Sequence, residues 1–103
     1  MRSVQVVDLQ CQTGDSRTCV WQGEGVQIMR VRLAPGEALP PHNANANVVL
    51  LPLAGRLRFS NDEAQYEWGV GEGLAVAYDT PMNVLNIADE ETVFLVIKTP
   101  PAG

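Results

Sequence analysis

The chain has 103 residues, of which 46% are hydrophobic, and seven basic and twelve acidic residues give it a formal net charge of −5. This length suits one domain with a modest core. The acidic balance, without a Lys/Arg cluster, argues against nucleic-acid binding. The apolar run 48–54 is far shorter than the ~18 residues of a membrane span, and the N-terminal residues lack the apolar block of a secretory signal. We therefore expect a soluble, cytoplasmic protein without nucleic-acid or membrane partners.

The residue pattern predicts many short strands and little helix. Nine glycines and seven prolines interrupt a Val/Leu-rich chain, and no stretch of ~12 residues keeps a helical apolar repeat. Strands are predicted at 4–9, 18–21, 26–33, 42–48, 48–53, 56–59, 64–68, 74–78, 82–88 and 92–98. About ten short strands, with turn signals roughly every eight to twelve residues, predict an all-β, double-sheet jelly roll.

The two cysteines, Cys11 and Cys19, are placed to face each other across a hairpin that turns at 14–16. In a reducing compartment two free, partly buried thiols are favoured over a disulfide, although the sequence does not decide the pairing. Zinc is not supported, because two cysteines and the single histidine leave the usual four-ligand site one ligand short.

Two kinds of strand pattern predict what lies on the outside of the sheets. Strands 26–33 and 56–59 alternate arginine with apolar residues, so we expect solvated outer positions for Arg30, Arg32, Arg56 and Arg58. In contrast, 48–53 and 93–97 are apolar at every position, as in strands buried on both faces. A second copy of the chain is the expected cover, which predicts a homodimer with a two-fold interface.

Two glycine-rich stretches carry a family resemblance. The first runs from Gly36 through His42, which follows two prolines, to Gly55. It resembles the first signature of the cupin family, in which a His-x-His pair and a glutamate lie between two glycines. The second, from Gly71-Glu72 through Pro81 to Asn86, resembles the second signature. The resemblance covers about residues 26–98 and implies a double-stranded β-helix barrel. We expect a single domain, 1–103, in which residues 1–25 add N-terminal strands and residues 99–103 form a tail.

The resemblance also identifies the positions at which metal-dependent cupins hold their ion. These positions are occupied here by His42, Ala44, Val48 and Met82. Alanine and valine have no lone pair to donate, and a thioether is a soft ligand suited to copper(I) rather than to hard divalent ions. A degenerate metal site without a cofactor is therefore expected.

Three functions follow from this arrangement. The first is a metal-free module that is structural or binds a small organic ligand in a pocket formed by His42, Ala44, Val48, Leu57, Phe59 and Met82. The second is a metal-independent isomerase or epimerase, with His42 as base, Tyr66 or Tyr78 as acid, and Asp79 as a carboxylate that orients the histidine. The third is a metal-dependent enzyme with atypical ligands drawn from His42, an asparagine and Met82. Structural roles compete with each: His42 as a hydrogen-bonded histidine near the barrel mouth, and Met82 as core packing.

Overall fold

The computed structural model describes residues 3–9 and 16–100, and within those ranges it contains nine β-strands and no helix. The strands are β1 (Arg17–Gly23), β2 (Val26–Leu33), β3 (His42–Asn43), β4 (Asn47–Ala54), β5 (Arg56–Ser60), β6 (Gln65–Gly69), β7 (Leu74–Val76), β8 (Pro81–Asn86) and β9 (Thr92–Thr99). Accordingly, this part of the chain has no helix long and apolar enough to cross a bilayer.

The strands form two antiparallel sheets. One has the order β1-β2-β9-β4-β7 and the other has the order β3-β8-β5-β6. Strands that are distant in sequence are neighbours in both sheets, as β2 and β9 are in the first, so most of the pairing is non-local. The all-β jelly roll predicted from the sequence is confirmed.

The core lies between the sheets and follows the two-residue alternation of the strands. In the larger sheet Val31, Phe94 and Pro52 are aligned across β2, β9 and β4, and all three face inward. Leu57 and Phe59 of β5, in the smaller sheet, are buried in the same core. The inward orientation predicted for these two residues is confirmed.

Asn86, at the end of β8, joins several segments of the barrel. Its Nδ2 donates hydrogen bonds of 2.9 Å to the carbonyl oxygens of both Leu33 and Glu90. Its Oδ1 accepts bonds from Ala88 N at 2.8 Å and from Thr92 Oγ1 at 2.6 Å. The side chain is 1% exposed, so a buried polar group is fully engaged in connecting β2, β8 and β9.

The β4–β5 turn depends on the absence of a side chain at Gly55. This residue has a φ of 88°, which favours glycine. A Cβ there would overlap Thr92 Oγ1 and lie 2.8 Å from Thr92 Cα. The glycine therefore allows β9 to pass against the turn.

The strand prediction was wrong at four places. Residues 4–9 form no strand, and Val4 and Val6 are each 97% exposed because neither sheet pairs with this segment. The alternation predicted over 42–48 is interrupted at 44–46, where the chain bends between β3 and β4. Finally, β7 ends at Val76 and β8 at Asn86, each two residues before the predicted end. After β7, Tyr78 N donates to the side-chain Oδ1 of Asn47 and not to a backbone carbonyl of β4.

The outer faces also differ from the prediction. Arg56 is exposed and Arg58 pairs with Glu67 at 3.0 Å, but Arg32 is half-buried and Arg30 is only 4% exposed. The reason is that β2 is an interior strand, so Arg30 lies between Thr18 of β1 and Leu95 of β9. The outward side chains of β4 are half-buried instead of fully buried.

The predictions for the cysteines are tested in part. Cys11 and the predicted hairpin turn at 14–16 lie outside the described residues, apart from Ser16. Cys19 is a free thiol, but it is exposed and not partly buried as predicted. It lies next to Gln27, whose Nε2 is 3.9 Å from Cys19 Sγ.

Candidate functional site

A cavity of about 400 Å³ lies between the two sheets, on the side where β1, β2 and β3 are located. The larger sheet and the smaller sheet both contribute to it, together with the segment 39–45. The apolar lining residues are Met29, Val31, Leu39, Pro40, Ala44, Val48, Leu50, Met82 and Val96, and the polar ones are Arg17, Gln27, His42, Asn45 and Lys98.

The wall of the cavity changes from apolar to polar along the strands. Met29, Val96 and Leu50 are aligned across β2, β9 and β4 and form an apolar row. One pair further along the same strands, Lys98 lies between Gln27 and Val48. The cavity thus combines a hydrocarbon wall with a few polar groups, which is the usual composition of a small-molecule site.

His42 is an exposed residue of β3 that borders the cavity. Its Nδ1 lies 2.8 Å from the carbonyl oxygen of Pro40. Because a carbonyl can only accept, Nδ1 carries the proton of this hydrogen bond. In the neutral ring the lone pair is then on Nε2, which is the atom left to contact a molecule in the cavity.

The three other positions identified by the resemblance converge on the same cavity. Met82 is the cross-strand partner of His42, and Ala44, Val48 and Met82 are all buried. Ala44 is held by its backbone, which accepts a 2.8 Å hydrogen bond from Asp79 N and donates one of 3.0 Å to Thr80 O. The barrel therefore brings all four positions to one cavity, with Val48 in the larger sheet and His42 and Met82 in the smaller one.

The side chains at those positions do not fit a divalent metal ion. Of the four side chains, only the His42 imidazole and the Met82 thioether carry donor atoms, and nearby Asn45 adds at most one amide oxygen to the cavity lining. Resident catalytic metals in proteins commonly have about three nitrogen, oxygen or thiolate ligands. No group of three or more His, Cys, Asp or Glu residues suited to a metal occurs in 3–9 and 16–100.

Two residues predicted for the pocket lie elsewhere. Leu57 and Phe59 are part of the buried core and do not line the 400 Å³ cavity. Phe59 instead borders a separate cavity of about 220 Å³ that also includes Tyr66. The rings of Phe59 and Tyr66 are 6.4 Å apart, a distance at which aromatic pairs contribute to packing.

The structure does not bring the proposed acid and orienting residues to His42. Tyr66 and Tyr78 are both exposed, and neither borders the cavity of His42. Asp79 has a φ of 65° and its Oδ1 accepts a 3.0 Å hydrogen bond from Asn43 Nδ2. A carboxylate that orients the His42 ring would accept the hydrogen bond from Nδ1, but here the carbonyl oxygen of Pro40 accepts it.

Several lining residues were not recognised from the sequence, among them Arg17, Gln27 and Lys98. A signal was available for two of them. The alternation that places Met29 inward on β2 also places Gln27 inward, and the alternation of β9 does the same for Lys98. Arg17 precedes the predicted strand 18–21, so no pattern marked it.

These observations define the class of protein. Two antiparallel sheets enclose a cavity, and the positions spaced as metal ligands in the cupin signatures line it from both sheets. This is the double-stranded β-helix of the cupins.

Comparisons with known proteins agree with this assignment. An uncharacterized protein of Methanocaldococcus jannaschii, MJ0764, is 30% identical over 78 residues, which make up 75% of this chain and 67% of that protein. The crystal structure of MJ0764, an RmlC-like cupin family protein with a double-stranded β-helix fold, matches with a TM-score of 0.79 and 23% identity, over 97% of this chain and 94% of that chain. A cupin domain from Bordetella pertussis matches with a TM-score of 0.69 and 24% identity, over 81% and 90% of the two chains. No family model matches. The chain belongs to the RmlC-like cupin family.

Proposed function

We propose that this cupin binds a small organic molecule in the 400 Å³ cavity and uses no resident metal to do so. One observation carries the proposal: of the four positions that hold the ion in metal-dependent cupins, three carry hydrocarbon or thioether side chains that line an open cavity. Small apolar residues at these positions leave room for an organic ligand. The volume also lies within the roughly 300–1,000 Å³ of ordinary small-molecule pockets.

The methyl groups of two methionines can report binding directly, because Met29 and Met82 both line the cavity. We expect fragments that bind to shift the carbon-13 methyl signals of both residues, which single Leu substitutions would assign. Ala44→Leu should weaken this binding by filling the cavity. Ala77→Leu, at an exposed position bordering the separate 220 Å³ cavity, is the matched control. A fragment library that shifts neither methyl signal would contradict the proposal.

A metal-independent isomerase or epimerase is the second candidate, and the hydrogen bond of His42 favours it. Because Nδ1–H donates to Pro40 O, the lone pair of the neutral ring is on Nε2, and this is the atom that would act as the general base. An acid partner would have to come from the ligand or from solvent, since Tyr66 and Tyr78 do not border the cavity.

Solvent exchange distinguishes this candidate from simple binding. A base that removes a proton from carbon should introduce deuterium into a bound compound in heavy water, as followed by proton NMR. The exchange should disappear in His42→Gln, while binding measured on Met29 remains. If the natural protein binds a compound but exchanges none of its carbon-bound protons, the binding function stands and the isomerase function is rejected.

We also infer that a second copy covers the outer face of the larger sheet. Ile28 of β2, Ile97 of β9 and Val49 of β4 are aligned on this face, and Leu51 of β4 lies on it one pair further along. All four are only half-buried in the single chain. A facing chain related by a two-fold axis would complete the burial of this apolar surface.

Sedimentation equilibrium tests the dimer. We expect a mass of twice the 11.2 kDa of the chain, and Leu51→Glu should convert the protein to a monomer. Val70→Glu is the control, because Val70 is an exposed turn residue. A natural protein of 11.2 kDa in solution would contradict the dimer.

The exposed free thiol of Cys19 suits a reducing compartment and supports a cytoplasmic location, which cell fractionation would test.

A further inference from the structure

We propose that the ligand of the cavity is an anion, specifically a small organic carboxylate with an apolar body, held by Arg17 and Lys98. This inference rests on the proposed binding function and adds to it the chemical class of the ligand.

Two cations from different strands border the same cavity. Lys98 belongs to β9 and lies in the row with Gln27 and Val48. Arg17 belongs to β1 and lies opposite Val31 of β2, whose side chain also lines the cavity. An anion in the cavity would therefore be exposed to positive charge from both β1 and β9.

Neither cation has an acidic partner among the residues that the structure describes. Within 3–9 and 16–100 the one ion pair joins Arg58 of β5 to Glu67 of β6, and neither residue lines the cavity. Neither Arg17 nor Lys98 has a side-chain hydrogen bond there. The acidic side chain that shares a neighbouring small cavity with Arg17 is that of Glu37, and its Oε1 accepts a 2.9 Å hydrogen bond from Ala34 N.

The charge of the cavity is opposite to that of the protein. The chain has a net charge of −5, yet no acidic residue of the described part lines this cavity, whereas Arg17 and Lys98 do. Converging cations of this kind concentrate an anion from solution. Arginine adds a forked donor that matches the geometry of a carboxylate.

The apolar wall indicates what the rest of the ligand is. Met29, Leu50 and Val96 present hydrocarbon and thioether next to the cationic groups. A fully hydrated inorganic ion would leave this surface uncovered. A carboxylate on a short hydrocarbon chain would bury the chain against it and place its charge beside Arg17 and Lys98.

The test uses matched pairs of a carboxylate and the primary amide of the same length, from butanoate and butanamide to octanoate and octanamide. Binding is measured from the methyl signals of Met29 and Met82. We expect the best carboxylate to bind roughly tenfold more tightly than its amide, the effect of charge-assisted hydrogen bonds. The double variant Arg17→Gln/Lys98→Gln should remove this advantage, whereas Arg56→Gln, at an exposed site outside the cavity, should keep it.

The outcomes separate this inference from the function on which it rests. Equal affinity for carboxylate and amide would overturn the anion preference while leaving the binding function intact. A preference that persists in the folded double variant would overturn the assignment to Arg17 and Lys98. Inorganic phosphate that displaces the carboxylate with higher affinity would overturn the organic-ligand class. Failure of every compound to shift either methyl signal would overturn both proposals.

Discussion

His42 and Met82 are cross-strand partners at the edge of the smaller sheet, in antiparallel register between β3 and β8. The sequence separates them by 40 positions, yet they occupy two of the positions at which metal-dependent cupins place their ligands. One carries an imidazole whose Nδ1 is held by Pro40 O, and the other a buried thioether. The barrel therefore brings these two positions together at one cavity, where an imidazole and a thioether are the side chains present.

If the geometry is retained, restoring the side chains should restore an ion site. We expect the triple variant Ala44→His/Val48→Glu/Met82→His to bind Co²⁺ or Ni²⁺ with one ion per chain, because His42 would complete a four-ligand set suited to divalent ions. Binding should raise the thermal midpoint, and above the dissociation constant the midpoint should rise roughly with the logarithm of the metal concentration. The same variant with His42→Ala is the matched control and should bind much more weakly. A folded triple variant without metal affinity would show that these positions do not converge as described.

Asn86→Ala should strongly destabilise the barrel. The substitution removes the hydrogen bonds to Leu33 O and Glu90 O and leaves Thr92 Oγ1 and Ala88 N without their acceptor. We expect a loss of about 3 kcal/mol in the free energy of unfolding, measured by chemical denaturation. Asn83→Ala is the control, since Asn83 is half-buried and makes a single 3.2 Å bond to Ser60 O, and it should cost less than about 1 kcal/mol. Equal losses would contradict the role given to Asn86.

Gly55→Ala should be more costly than the same change at Gly25. Both glycines have positive φ, 88° and 75°, so both substitutions incur the roughly 1–2 kcal/mol of a left-handed residue. At Gly55 the added methyl also meets Thr92, whereas nothing lies within 4 Å at Gly25. The expected extra loss is about 1–3 kcal/mol in the free energy of unfolding. Similar stability of the two variants would contradict the close approach of β9 to the β4–β5 turn.

The fold was largely predictable because two-residue alternation and turn glycines are local signals. The bounds of β2 were predicted as Val26–Leu33, and β5 and β9 were each predicted to within one residue of an end. The segment 4–9 was misassigned for the opposite reason. Its local composition resembles a strand, but a strand exists only when a neighbour supplies hydrogen bonds, and no neighbour is visible from 4–9 alone.

The site was predictable only where spacing carried the information. Spacing located His42, Ala44, Val48 and Met82, which the structure brings to one cavity. The resemblance gave no position for Tyr66 or Asp79, and residue type alone did not locate them. Both side chains have other neighbours, Phe59 and Asn43 respectively. The burial of Arg30 depends on adjacent strands, so its own alternation with apolar residues suggested a solvated position.

We propose that the cavity beside His42 binds an organic molecule and is not a metal centre. Elemental analysis of the natural protein, purified without chelators after growth in medium supplemented with Fe, Mn, Ni, Cu and Zn, tests this most directly. We expect far less than one metal ion per chain, and the same low content in Met82→Leu. One tightly held ion per chain in the natural protein, lost in His42→Ala, would contradict it.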